Sequence, residues 1–282
     1  MAAVRYVALI GHPVDHSLSP LLHNTAFRHH GLPYEYLLLD VTDPARLPAV
    51  LLGLWAMDFR GANVTIPYKE AVLPWVDALS DTVQAVGAAN TIVNDGNRLW
   101  AENTDVWGFV RALAPYEDRI SGGGAVVFGS GGAARAVVYG LLTAYRVSRI
   151  TLVARNLKRA SALKAHLEPY GPAVSWRVCS WAEARQDVQE AQLLVNATPL
   201  GMSPQEDGSP WTDPSAYRPG QIAFDLVYRP RLTHWLREAS ASGVEIVDGL
   251  AMLVHQAAAS YTLWTGREMP LEVVSSALDG LL

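Results

Sequence analysis

Short runs of apolar and β-branched residues recur along the chain at YVALIG, YEYLLLDV, GANVTI, GAVVFG, RITLVAR, AQLLVNAT, QIAFDLVY and VEIVDG. Most are separated by stretches whose apolar residues return at helical spacing. A strand covered by helices on both faces reads as an unbroken apolar run, and AVVF, ITLVA and QLLVNA read that way. The alternation predicts an α/β protein built from βαβ units. A discontinuity falls near residues 105 to 123, where DVWGFVRALAPYEDRI leads into SGGG and a fresh strand, predicting a turn into a second sheet. From Leu250 onward the pattern is helical, LAMLVHQAAASYTLW and then LEVVSSALDGLL, and these helices are expected to pack back onto the first domain.

In an open α/β sheet, ligands sit beyond the carboxyl ends of the strands. The first such end, GHPVDHSLSPLLHN, carries three histidines and two serines. A metal site is the obvious reading, but His12 and His16 bracket Pro13, which keeps them off one helical face, and no thiolate or carboxylate block completes a shell. No metal is expected; His16 and His23 read as structural, and Ser17 and Ser19 as groups for a carboxylate.

The later strand ends offer Asn63, Thr65 and Lys69, then Asn90 and Thr91, then Asn103, Thr104 and Asp105, then Asn196 and Thr198, and Tyr228. Neutral hydroxyls and amides dominate, which suits a polyhydroxylated ligand, since each buried polar group left unpaired costs about 1–3 kcal/mol. Pro67 predicts the first turn of a helix, with Lys69 at its positive end as a candidate proton donor. Asp105 reads equally as the N-cap of the helix VWGFVRAL or as a functional carboxylate.

Gly129-Ser130-Gly131-Gly132-Ala133-Ala134 lies between the strand AVVF and the apolar helix AVVYGLLTAY, a dinucleotide fingerprint with Ala134 at its third glycine. A site for NAD would have an Asp or Glu at the end of the next strand. RITLVA ends instead in Arg155-Asn156-Leu157-Lys158-Arg159, and Arg155 and Arg159 suit a 2′-phosphate, so the expected cofactor is NADP. Lys158 reads as a solvated surface lysine.

The composition narrows the class. Half of the 282 residues are hydrophobic, which excludes a disordered chain, and the net charge of -5 argues against a nucleic-acid-binding face. Cys179, the single cysteine, cannot form an internal disulfide and suits a reducing compartment. The apolar start is too short for a signal peptide and no run approaches a membrane span, so no membrane is expected and the location expected is cytoplasmic.

HSLSP with LLHN, NVTIPYKE, GAANT, NTDVWGF, GSGGAAR, NATPLGM, and the late FDLVYRPRLT and DGLAMLVHQAA together resemble the shikimate dehydrogenase family, in its order and spacing. The resemblance implies an NADP-dependent oxidoreductase that reversibly reduces 3-dehydroshikimate to shikimate in the shikimate pathway of aromatic amino-acid biosynthesis. It implies an N-terminal α/β substrate-binding domain, residues 1–105 plus 250–282, and a Rossmann-type NADP-binding domain, residues 106–249.

Carried over by residue, Ser17 and Ser19 would bond the substrate carboxylate, while Asn63, Thr65, Asn90, Tyr228 and Gln256 would bind the carboxylate and ring hydroxyls. Lys69 and Asp105 would form the catalytic pair, with Lys69 the acid/base. Gly129, Ser130, Gly131, Gly132 and Ala133 would hold the pyrophosphate, Arg155 and Arg159 would face the 2′-phosphate, and Asn156 would also lie at the cofactor. Met202, Leu226 and Gly249 would lie near the nicotinamide, and Asp81 would touch the cofactor from the other domain. The chain departs from the family at Ala154 and Asn156 beside the arginines, at Ala101 before Asp105, and at Ser130 in the glycine loop. The alternatives are an NAD-preferring quinate/shikimate dehydrogenase and a non-catalytic NADP-binding sensor; a homodimer is the expected assembly.

Overall fold

The computed structural model describes residues 3–279. The chain divides into two compact units, Met1–Gly108 with Val254–Leu282, and Phe109–Leu253, each with its own six-stranded sheet.

The first unit runs β1 (Arg5–Gly11), α1 (Ser19–His29), β2 (Tyr34–Asp40), α2 (Leu47–Ala56), β3 (Gly61–Val64), β4 (Ala78–Leu79), α3 (Asp81–Val86), β5 (Thr91–Asn94) and β6 (Leu99–Glu102). Its strands lie in the order β2-β1-β3-β5-β6-β4. β1 is parallel to β2 and β3, but β5 is antiparallel to both β3 and β6, so the sheet is mixed rather than wholly βαβ as expected. The β5–β6 hairpin escaped the reading for apolar runs, although its turn, NDGN, carries the signal. Asp95 accepts bonds from the backbone N–H groups of Asn97 and Arg98 there, and Gly96 takes φ +94°.

One face of this sheet buries Ala8, Ile10, Ala62, Val64 and Ile92 with Leu51 and Leu54 of α2. An aromatic cluster also fills this unit. His23 of α1 is fully buried, with its ring stacked on Tyr36 at 4.6 Å and next to Trp264 at 5.2 Å. Neither ring nitrogen has a partner, and burial pushes its pKa down to about 3, so the imidazole is neutral.

The second unit is entered through α4 (Thr104–Leu113) and contains α5 (Glu117–Ile120), β7 (Gly124–Phe128), α6 (Gly132–Thr143), β8 (Arg149–Val153), α7 (Leu157–Leu167), β9 (Ser175–Cys179), α8 (Arg185–Glu190), β10 (Leu193–Asn196), β11 (Ile222–Asp225), α9 (His234–Ala241) and β12 (Glu245–Val247). The chain returns to the first unit within α10 (Leu250–Thr265) and continues into α11 (Leu271–Asp279). Residues 280–282 of the last helical stretch lie outside the described residues.

Every neighbouring pair in the second sheet is parallel, in the order β12-β11-β10-β7-β8-β9. Counted from β7 this is the doubly wound order 3-2-1-4-5-6. The period-2 alternation of strand side chains explains the unbroken apolar runs. Ala125 and Val127 of β7 pack with α6 and α7 on one face, while Val126 and Phe128 meet Trp235 and Leu236 of α9 on the other. β9 was missed in the sequence because it alternates exposed and half-buried residues at the sheet edge. It ends at Cys179, whose thiol is buried and pushed up to about 11, a small core hydrophobe rather than a reactive group.

Candidate active site and dinucleotide loop

In the first unit the strand ends come together. An added Cβ at Gly11 would collide with the Thr65 methyl, so only glycine lets the loop after β1 press against the loop after β3. His12 N–H also donates to the Ile66 carbonyl at 2.9 Å. That loop leads to Ser17, whose hydroxyl accepts from the backbone N–H of Ser19 at 3.2 Å, and to Ser19 itself, buried as the first residue of α1. His12 pairs with Asp40 at 2.8 Å and His16 lies 3.3 Å from Asp15. Among the described residues no three His, Cys, Asp or Glu side chains are grouped to hold a metal ion.

The helix expected at Pro67 is absent. Residues 66–72 form turns, fixed by Tyr68 N–H to the Thr65 carbonyl, the Tyr68 hydroxyl to the Val41 carbonyl, and Ala89 N–H to the Lys69 carbonyl. Apart from one helical bond, Val72 N–H to the Tyr68 carbonyl at 3.0 Å, turn and long-range bonds hold the stretch, so Lys69 is not placed by a helix dipole. It is placed by its tie to Ala89, next to Asn90.

Lys69 Nζ donates to Asp105 Oδ2 at 2.5 Å, with the side chains 15% and 7% exposed. The N-cap reading of Asp105 also falls. Asn103 Oδ1 accepts from Val106 N–H at 3.3 Å and does that work, which leaves the Asp105 carboxylate, in the first turn of α4, for Lys69 and Asn90.

Asn90 is the hub beneath the pair. Its Nδ2 reaches Asp105 Oδ1 at 2.9 Å, Thr104 Oγ1 at 2.9 Å and Gln256 Oε1 at 3.3 Å, while its Oδ1 accepts from Thr104 N–H at 2.7 Å. Thr91, Thr104 and Ser260 bond among themselves, and Asn63 Nδ2 reaches Thr91 and Ser260. Asn63 Oδ1 accepts from the Tyr36 hydroxyl at 2.8 Å, so this amide, expected at the ligand, is bonded on both ends within the protein. Asp81 stands elsewhere, exposed in the first turn of α3, whose N-cap is Ser80. Ser260 had escaped the sequence reading; it follows Gln256 by one helical turn on α10, a spacing that puts both on one face.

In the second unit the glycine loop joins β7 to α6. Gly129 has φ +116°, and a Cβ there would lie 2.9 Å from the Ala197 carbonyl oxygen, which packs the loop against the turn after β10. These two strands flank the point where the strand order reverses, the crevice in which doubly wound sheets hold nucleotides. Gly131, N-cap of α6, would project a Cβ into open space, leaving a cradle at the helix N-terminus where backbone N–H groups favour an anion. Gly132, Ala133 and Ser130 are half-buried around it.

Beyond β8 the backbone carries no acid; Arg155 and Arg159 are both exposed there. Asn156 is occupied as the N-cap of α7, accepting from Arg159 N–H at 3.0 Å. Met202 is exposed, and Leu226 and Tyr228 are half-buried in the stretch after β11. Gly249 is buried where a Cβ would overlap the Leu226 carbonyl. The loop, its open cradle and the two arginines fit a phosphorylated dinucleotide such as NADP.

Taken by fold and site, the chain is a two-unit α/β dinucleotide-dependent oxidoreductase. The model of the shikimate dehydrogenase substrate binding domain matches residues 9–92, and that of the shikimate 5′-dehydrogenase C-terminal domain matches residues 249–278. The shikimate dehydrogenase (NADP(+)) of Salinibacter ruber is 49% identical over 98% of each chain. Among solved structures, the Thermus thermophilus shikimate 5-dehydrogenase in complex with NADP(H) and shikimate is 37% identical with a TM-score of 0.85, covering 99% of this chain and 100% of the other. A quinate dehydrogenase of Corynebacterium glutamicum in complex with NAD is 30% identical with a TM-score of 0.89, covering 99% and 100%. The chain belongs to the shikimate dehydrogenase family.

Proposed function

We propose that this protein reversibly reduces 3-dehydroshikimate to shikimate with NADPH, and that Lys69 and Asp105 form its acid–base pair. The observation that carries the reading is the short Lys69–Asp105 contact set into a buried bed of neutral amides and hydroxyls. When bound, NADPH supplies a hydride to the ketone carbon. Lys69 stabilises the charge that develops on the carbonyl oxygen and delivers a proton to it from Nζ, giving the alcohol; in the reverse direction the neutral amine takes that proton back. Asp105 holds the ammonium in place and orients the reacting hydroxyl, and Asn90 fixes the Asp105 carboxylate from below.

Ser17 and Ser19 bind the substrate carboxylate in this reading. Thr65, Asn90, Tyr228 and Gln256 bind its carboxylate and hydroxyls, and Asn63 acts mainly by holding the bed beneath Asn90. Gly129 to Ala133 hold the pyrophosphate, Arg155 and Arg159 the 2′-phosphate, and Met202, Leu226 and Gly249 flank the nicotinamide. The first unit is then the substrate domain and the second the NADP domain. Asp81 and Asn156 are given smaller parts at the cofactor. We place the protein in the cytoplasm, supported by its one unpaired cysteine, and propose a homodimer, which a single-chain mass in sedimentation would remove.

The test is NADPH oxidation with 3-dehydroshikimate, run beside quinate oxidation with NAD. Turnover of the first pair well above the second supports the reading. A preference for quinate with NAD, the ligand pair suggested by the likeness to the Corynebacterium enzyme, sinks it.

A further inference from the structure

Asp225 closes β11 and is fully buried, yet its partners are neutral. Its Oδ1 accepts from Asn196 Nδ2 at 2.9 Å and from Val227 N–H at 3.0 Å, and its Oδ2 accepts from the Thr233 hydroxyl at 2.8 Å. Burial pushes the acid up to about 6 and these bonds only partly offset it, so a costly group is retained here.

What it holds is the back of the crevice. Asn196 also donates to the Leu200 carbonyl at 3.1 Å and accepts from the Thr198 N–H and hydroxyl, which shapes the turn that abuts Gly129. Thr233 packs on Gly201, where a Cβ would come within 3.4 Å of it, so the far end of the same loop rests on the second carboxylate partner. Val227 follows Leu226, and Gly249 N–H donates to the Val227 carbonyl at 3.2 Å. In a doubly wound sheet the strands on this side of the reversal, β10 to β12, serve the second nucleotide of the cofactor.

We propose that Asp225 is a positioning residue for the nicotinamide half of the dinucleotide site. Its carboxylate ties residues 196–202 and 225–228 into one wall, while the adenosine half is held by the glycine loop and the arginines. This rests on the NADP reading above and gives a role to a residue which that reading leaves without one.

The experiment measures binding of NADPH and of adenosine 2′,5′-bisphosphate, which carries only the adenosine half, to the full chain and to Asp225→Ala. NADPH should weaken about tenfold, the cost of leaving buried donors unpaired, while the bisphosphate holds within about twofold. The KM for NADPH should rise and the KM for the organic substrate should stay as it was. Asp225→Asn keeps an oxygen for Asn196 and Val227 and lets the Thr233 hydroxyl turn round to accept, so it should recover most of the loss. If Asp225→Ala does not fold, Thr233→Val carries the same comparison with a loss of about threefold. Equal loss of both probes, no loss of either, or no recovery in Asp225→Asn overturns the proposal. Failure of the unaltered protein to bind NADPH would instead overturn the NADP reading itself.

Discussion

In the first unit most of the groups assigned to the substrate are buried and already bonded within the protein, Asp105 to Lys69 and Asn90, and Asn90 to Thr104 and Gln256. In the second unit the groups assigned to the cofactor are backbone and surface: an open cradle at Gly131 and two exposed arginines, with the buried Asp225 behind them. The difference follows from what each ligand offers. A small ring with hydroxyls is recognised by leaving no donor or acceptor unpaired, which demands a fixed bed of polar side chains. A phosphate chain is recognised by charge and by N–H groups that any residue can supply, provided that no side chain stands in the way. A change in the first unit should therefore fall on turnover, and a change in the second on cofactor affinity.

The sharpest break of that contrast is Lys69→Ala. In the proposed role, a general acid that also stabilises the developing alkoxide, its loss should lower kcat about a thousandfold. Affinity for NADPH, measured by nucleotide fluorescence, should stay within about twofold, since the ammonium belongs to the other unit's ligand. Normal turnover would take Lys69 out of the chemistry, and a parallel fall in NADPH affinity would erase the division of labour between the units.

The same division runs through what the amino-acid sequence makes legible. The second unit was legible because its pattern is local: apolar runs for strands buried on both faces, and GSGGAA at a strand-to-helix turn. The polar bed of the first unit was legible only as residue types at strand ends. That Asp105 meets Lys69 depends on a turn at residues 66–72 held by Ala89, and that Asn103 caps α4 in its place depends on where the helix starts. Pro67 misled because a proline suited to a helix start equally suits a turn, and the choice was made by partners far along the chain. Ser260 and Asp225 stayed hidden for a similar reason: each is a polar residue in a largely apolar stretch, and its meaning lies in the distant groups it bonds.

Each unit also buries a group whose titration burial moves far, His23 in the first and Asp225 in the second, and the two pull in opposite directions. His23, lowered from 6.5 to about 3, stabilises the fold fully above its unfolded value and loses that contribution as pH falls below it. Asp225, raised from 3.8 to about 6, contributes fully below its unfolded value and loses that as pH rises toward its folded one. Between these limits each group should change stability by roughly 1–2 kcal/mol per pH unit. In urea unfolding at about pH 7 and about pH 5, His23→Phe should gain on the unaltered protein as pH drops, and Asp225→Asn should lose. Differences that stay constant with pH in both variants would mean that neither group titrates as its burial requires.

The finest test concerns the two exposed arginines, where solvent screens the charge and the expected effect is smallest. Arg155→Ala removes one proposed partner for the 2′-phosphate and leaves the glycine cradle untouched, so NADP affinity should fall about tenfold while NAD affinity hardly moves. The loss should shrink as salt is raised, because the contact is made at the surface, whereas the effect of Lys69→Ala in its buried bed should not. Equal losses for NADP and NAD would move Arg155 from phosphate recognition to the shape of the loop after β8. The absence of an acid at that strand end would then be the remaining feature that selects NADP over NAD.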